Sequence, residues 1–223
     1  MTLTTTRKSD VTWQPLQPRE RRWARMGQRP AIAWLTGLSG AGKSTIADAV
    51  DRGLTEAGRS TMVLDGDNLR QGLNRDLGFT AADRVENIRR AAEAARLMAD
   101  AGLVVIVSLI SPFRAERAAA RAIAGDIPFL EVFIDTPLAV CEARDPKGLY
   151  DRARAGKIPN FTGISAPYEA PDAPDLALQT RNQAVMESAQ PLIDVLLNLS
   201  AETRTEAESI AVRDSRRLGI RRG

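Results

Sequence analysis

Residues Gly37-Leu38-Ser39-Gly40-Ala41-Gly42-Lys43-Ser44, followed by Thr45, fit G-x-x-x-x-G-K-[ST] at every position. Glycines let backbone N–H groups turn inward around phosphate oxygens. Lys43 adds a point charge for the β- and γ-phosphates, and the Ser44 hydroxyl is placed to ligate Mg²⁺. A short apolar run, Ala31 to Thr36, precedes the motif and a helix-forming stretch follows it. That strand–loop–helix context separates a phosphate cradle from a glycine-rich turn, and the helix N-terminus adds a favourable dipole. The motif implies a nucleoside triphosphate. By itself it does not separate a kinase from a GTPase or a motor.

A second group of residues could handle an acceptor. Asp65-Gly66-Asp67-Asn68 ends a second apolar run, and in a parallel sheet that end lies beside the cradle. A carboxylate there can orient Mg²⁺-bound water or take a proton from a hydroxyl, the role expected of Asp65, which with Ser44 forms the metal set. Asp67-Asn68 fit a turn and helix cap equally well. Arg70 follows one turn later. Arg84 and Asn87, spaced i, i+3, share a helix face. Two arginines and an amide aimed at strand ends suit an anion. Aromatics are only 4% of the chain, yet Phe79 and Phe161 both fall in glycine-containing loops. Base stacking and loop anchoring both explain them. Ser111 follows the most apolar strand and so falls near the site, or is a hydrogen-bonded loop serine. The cationic stretch Arg144 to Lys157 reads as a mobile lid that closes over phosphates, with a solvated loop as the alternative.

These residues need a scaffold, and hydrophobic periodicity supplies one. Strands are expected at 31–36, 60–65, 103–107, 129–135 and 176–180. Helices are expected at 43–57, about 80–101, 114–124, 137–143 and 183–199. Thr80-x-x-Asp83 is a capping-box pattern opening the second helix, whose apolar face is assigned to Val85, Ile88, Ala92, Ala95 and Met98. Residues 145–174, rich in Gly, Pro and charge, read as loop. Alternating strands and helices specify a three-layer α/β fold, a parallel sheet with helices on both faces. The expected organisation is a basic arm (1–30), one domain (31–200) and a basic, mobile tail (201–223).

Composition removes other chemistries. The chain has no histidine and one cysteine, Cys141. Ser-His-Asp triads, His- or Cys-based zinc sites and intrachain disulfides are excluded. No apolar run reaches the ~20 residues of a membrane span, and Met1–Asp10 lacks a signal-peptide core. A cytoplasmic protein without membrane contact is expected. The net charge is +3, but residues 31–200 alone carry −4, so the excess sits in the two ends. Solvated termini account for that, and no nucleic-acid partner is expected.

The segments GLSGAGKST (37–45), DGDNLRQGLNRDLGF (65–79), DRVENIRR (83–90), LISPFRAER (109–117), EVFIDTPLAVCEARDPKGLYDRARAG (131–156) and FTGISAPYEAP (161–171) strongly resemble adenylylsulfate (APS) kinases. The first is generic to NTPases; those from 65 to 79 and from 144 to 171 are specific. The resemblance implies a P-loop kinase that uses MgATP to phosphorylate the 3′-hydroxyl of adenosine 5′-phosphosulfate, giving 3′-phosphoadenosine 5′-phosphosulfate (PAPS). It implies that Phe79 and Phe161 sandwich the APS adenine. Arg70, Arg84 and Asn87 then meet the phosphosulfate, with Asp67, Ile110, Lys147, Leu149, Thr162 and Gly163 in the same subsite. Residues 37–45 and Arg144 fall to ATP. Ser111 matches the serine described as a phosphoenzyme site, although direct in-line transfer needs only positioning and electrostatics. The resemblance further implies a homodimer and leaves room for a sulfurylase partner. Gln71 stands where many members carry His, so no imidazole serves there. A kinase of a sugar acid or another nucleotide, or a nucleotide-binding subunit without turnover, are the alternatives. The arginine pair, the paired phenylalanines and intact Lys43, Ser44 and Asp65 argue against them.

Overall fold

β1 (Ala31–Thr36) is buried at every position because it is the middle strand of five. The computed structural model describes residues 17–200. In chain order β1 follows α1 (Glu20–Met26) and precedes α2 (Lys43–Glu56), β2 (Thr61–Asp65), α3 (Gly66–Gln71), α4 (Ala81–Ala101) and β3 (Val104–Ser108). Then come α5 (Arg114–Ala124), β4 (Phe129–Ile134), α6 (Leu138–Arg144), α7 (Leu149–Arg154), β5 (Leu176–Leu178) and α8, residues 185–200. The sheet order is β2-β3-β1-β4-β5, and every pairing is parallel. Successive side chains of β1 feed opposite cores. Ala33 and Leu35 pack with Ile46, Val50, Leu54, Leu192 and Leu196. Ile32 and Trp34 pack with Ile88, Ala92, Ala95, Val105 and Phe129. This is the expected three-layer α/β fold. The chain leaves β1 toward β2 on one side while β4 and β5 lie on the other, so the loop after β1 opens where connections diverge, the usual ligand crevice.

α4 begins with the expected capping box: Thr80 accepts from the Asp83 N–H, and Asp83 accepts from the Thr80 N–H. Its core stripe is Ile88, Ala91, Ala92, Ala95 and Ala99, not the set expected in full. Val85 is 53% exposed, because the helix's opening turns reach past the sheet toward the loops that carry the site. Residues 145–174 are not all loop either. Asp145 accepts from the N–H groups of Leu149, Tyr150 and Asp151, which starts α7 and buries Tyr150. β5 stops two residues early because Thr180 turns toward the P-loop instead.

Within the expected N-terminal arm, α1 seats against the other end of the sheet. Arg19 donates to Asp100 (2.8 Å), and buried Gln28 bridges Ser60 and Gly102. Residues 1–16, and the tail 201–223 with its expected mobility, lie outside the described residues.

Candidate active site

The loop from Gly37 to Gly42 is shaped by sterics and by what holds its carbonyls. At Gly40, φ is +71°, and a Cβ would come within 3.0 Å of the Cys141 carbonyl. At Gly37, φ is +151°, with the Ile134 carbonyl 2.9 Å from an added Cβ. No larger residue fits either position without displacing backbone. Around the loop, carbonyls are tied outward. Tyr150 Oη donates to Ser39 O (2.9 Å). Thr136 (3.0 Å), Thr180 (2.8 Å) and Arg144 (3.2 Å) all donate to Ala41 O. With its carbonyls so engaged, the loop can turn N–H groups to the inside, where an anion would sit. Arg144, expected among the ATP-binding residues, thus grips the outside of the loop and Thr180 O (2.7 Å). Thr136, Tyr150 and Thr180 were not legible as site residues. Threonines just after two strand ends were the available signal.

Lys43 folds over the same loop and donates to Gly37 O (3.0 Å) and Leu38 O (2.7 Å). Burial pushes its ammonium down to about 8. A group poised this way gains a stronger partner when phosphate arrives.

Ser44 Oγ donates to Asp65 Oδ2 at 2.7 Å, and Asp65 Oδ1 accepts from the Asp67 N–H at 3.0 Å. Asp65 therefore does both things its sequence position allowed: it caps α3 and it faces the cradle. Ser108 Oγ lies 3.4 Å from Ser44 Oγ, brought there by the β2–β3 register that pairs Asp65 with Ser108. Sequence reasoning passed over Ser108; the polar residue ending the most apolar strand was its signal. Ser44, Asp65 and Ser108 offer hard oxygen donors, which suit a magnesium ion. Among the described residues no three His, Cys, Asp or Glu side chains form a cage, so such an ion would draw most of its ligands from phosphate and water.

Across from the cradle, Arg84 ties two loops together. It donates to Phe79 O (3.2 Å), Thr162 Oγ1 (2.9 Å) and Asn160 O (2.6 Å). Arg70 donates to Gly78 O (2.8 Å) and stacks on the Phe79 ring at 4.4 Å. Burial and the neighbouring Arg84 charge push Arg70 below its ordinary value, the mark of a cationic pocket. Lys147 pairs with Asp67. The two phenylalanines differ. Phe79 is 68% exposed, whereas Phe161 is buried edge-on against Tyr150, ring centres 5.0 Å apart. Gly163 leaves room for Leu38 of the cradle, whose Cδ2 would be 3.0 Å from an added Cβ. A groove of about 570 Å³ opens there, bounded by Leu38, Gly163 and Tyr168. Leu149 is half-buried at the start of α7. Ile110 O accepts from Thr36 Oγ1 (2.8 Å). Ser111 is buried at φ +38°, and its Oγ accepts from the Trp34 indole N–H at 3.1 Å. That hydroxyl is engaged inside the protein, an arrangement suited to holding the loop. Asn87 is 6% exposed and bonded to Asn74.

The family model for adenylylsulphate kinase matches residues 29–179. The adenylyl-sulfate kinase of Shewanella pealeana is 53% identical over 189 residues, covering 84% of this chain and 92% of that protein. The bifunctional enzyme NodQ of Rhizobium sp. (strain BR816) is 61% identical over 175 residues, covering 78% of this chain; the match spans only 28% of NodQ. Among solved structures, the Mycobacterium tuberculosis APS kinase CysC in complex with AMPPNP and APS superposes with a TM-score of 0.73 at 55% identity, covering 75% of this chain and 98% of that one.

Proposed function

The chain belongs to the adenylylsulphate kinase family, and we propose that it transfers the γ-phosphoryl group of ATP to the 3′-hydroxyl of APS, giving PAPS and ADP. One observation carries this: a complete phosphate cradle, with Ser44 bonded to Asp65, stands in one fold with a cationic aromatic wall of Arg70, Arg84 and Phe79. The guanidiniums would serve any anionic acceptor, and the exposed ring is what favours one that carries a base.

Loop N–H groups and Lys43 hold the β- and γ-phosphates of ATP. Ser44 and Asp65 would hold Mg²⁺, which when bound offsets charge on those phosphates. Asp65 accepts a hydrogen bond from the acceptor hydroxyl and orients its oxygen for in-line attack. Arg70, Arg84 and Asn87 fix the phosphosulfate, and Phe79 covers the base. Arg144 to Lys157 closes the entrance with Lys147 as its cation. Ser111 braces the loop after β3, and no covalent step through it is required. The homodimer and a sulfurylase partner belong to the same reading. In the bifunctional relatives, most of the chain lies outside the matched region, where a second activity would reside. No helix of the described residues is long and apolar enough to cross a membrane, in keeping with a cytoplasmic site of action.

The two rings give the test. Phe79 makes no core contact that its removal would break, so Phe79→Ala should raise the KM for APS roughly ten- to a hundred-fold, from ~1–3 kcal/mol of stacking. Its Tm and ATP KM should stay put. Phe161 is buried, so Phe161→Ala should in addition cost about 3 kcal/mol of stability. Measuring both KM values and Tm separates the cases. A Phe79→Ala variant with an unchanged APS KM removes the base-stacking assignment.

A further inference from the structure

Between α3 and α4 the chain turns its sequence inside out. From residue 71 to residue 80, Asn74 is the one fully buried residue, while the adjacent Leu73 is 50% exposed. This reverses the ordinary partition of leucine and asparagine. The backbone on both sides pins Asn74 in place: its N–H donates to Leu69 O (2.8 Å), and its carbonyl accepts from the Leu77 N–H (3.1 Å). The side chain makes one hydrogen bond, from Nδ2 to Asn87 Oδ1 at 3.0 Å. Asn74 Oδ1 is sealed from solvent and has no partner among the described residues. An apolar residue at 74 would avoid that cost, so the amide needs a reason beyond folding.

Asn87 supplies the reason. It lies one turn beyond Arg84 on α4, and its Nδ2 makes no hydrogen bond among the described residues. An amide can meet a ligand with either end. The N–H₂ end attracts an anion and the carbonyl end repels it. To present N–H₂ outward, Asn87 must turn Oδ1 inward, and that oxygen then needs a donor. Asn74 Nδ2 is that donor, and leaving Asn74 Oδ1 orphaned is the consequence. Turning both amides over would keep one hydrogen bond but aim the Asn87 carbonyl at the anion.

Resting on the function proposed above, we infer that Asn74 is a positioning residue for the acceptor site: it locks the Asn87 amide with its N–H₂ toward the anionic part of the acceptor. The test uses the full chain with Asn74→Ala, Asn74→Asp, Asn87→Ala and the double Asn74→Ala/Asn87→Ala variant. KM for APS and for ATP, kcat and Tm are measured for each. Asn74→Ala should raise the APS KM about tenfold and leave the ATP KM unchanged. Asn74→Asp, which offers Asn87 only an acceptor, should raise it further. In the Asn87→Ala background, Asn74→Ala should add no further rise. If Asn74→Asp does not fold, the alanine cycle decides alone. A shift of both KM values together, or the full Asn74→Ala effect persisting in the Asn87→Ala background, overturns the inference. Wild-type turnover separates the two levels: no turnover of APS removes the functional reading and the inference with it. Normal wild-type turnover with a non-selective Asn74→Ala defect removes only the positioning role.

Discussion

Lys43→Ala is expected to lower kcat/KM for ATP by about 10²–10³-fold or more while the protein stays folded, because it deletes a preorganised charge aimed at the transferring phosphoryl group. The fold should tolerate the change. Among the described residues Lys43 Nζ bonds only to carbonyls of its own loop, Gly37 O and Leu38 O, and burying the ammonium is already a cost, as its depression to about 8 records. That depression adds a pH signature. The cationic form is complete well below pH 8 and is lost as pH rises through that value. In wild type, kcat/KM for ATP should therefore fall on the alkaline side with an apparent pKa near 8. In Lys43→Arg, whose guanidinium stays protonated, this limb should move upward or vanish. Steady-state kinetics across pH, with Tm as the folding control, check both statements. Near-normal turnover in folded Lys43→Ala would remove the residue from catalysis.

Asp65→Asn should lower kcat by about a hundredfold or more, with Tm changed little. The substitution is nearly isosteric. An asparagine at 65 can keep its one side-chain oxygen on the Asp67 N–H and so still cap α3, while its Nδ2 would donate to Ser44 Oγ; the cap survives, and the charge and the second acceptor are removed. Single-turnover rates at saturating ATP and APS are the measurement. A rate within a few fold of wild type would leave Asp65 as a helix cap only.

The parts of the molecule visible in its sequence share one property: local chemistry decides them. The P-loop glycines, the Thr80–Asp83 capping box and the apolar runs of β1 and β3 are each specified by residues within a turn or two of one another. What stayed hidden depends on tertiary register. Ser108 enters the site because β3 pairs with β2 so that it lies beside Asp65. Thr136, Thr180 and Tyr150 hold the P-loop from positions about 95 to 140 residues away. The two phenylalanines look alike in sequence and part company in the fold, because α7 gives Phe161 a wall, whereas Phe79 has the Arg70 guanidinium over its ring and stays 68% exposed. Val85 looked like core by helical spacing, yet it lies where α4 outruns the sheet. Asn74 runs against its own neighbourhood's pattern, and only the position of Asn87 gives it sense.

The acceptor and the position phosphorylated can be read in a single experiment. Purified full-length protein is incubated with MgATP and APS, ADP release is followed, and the nucleotide product is identified by phosphorus NMR. One equivalent of ADP is expected for each APS consumed, with a product carrying a new phosphomonoester on the ribose 3′-oxygen and the phosphosulfate intact. ATP bound without APS-dependent ADP release, or phosphate placed on any other acceptor or position, would contradict the proposed reaction.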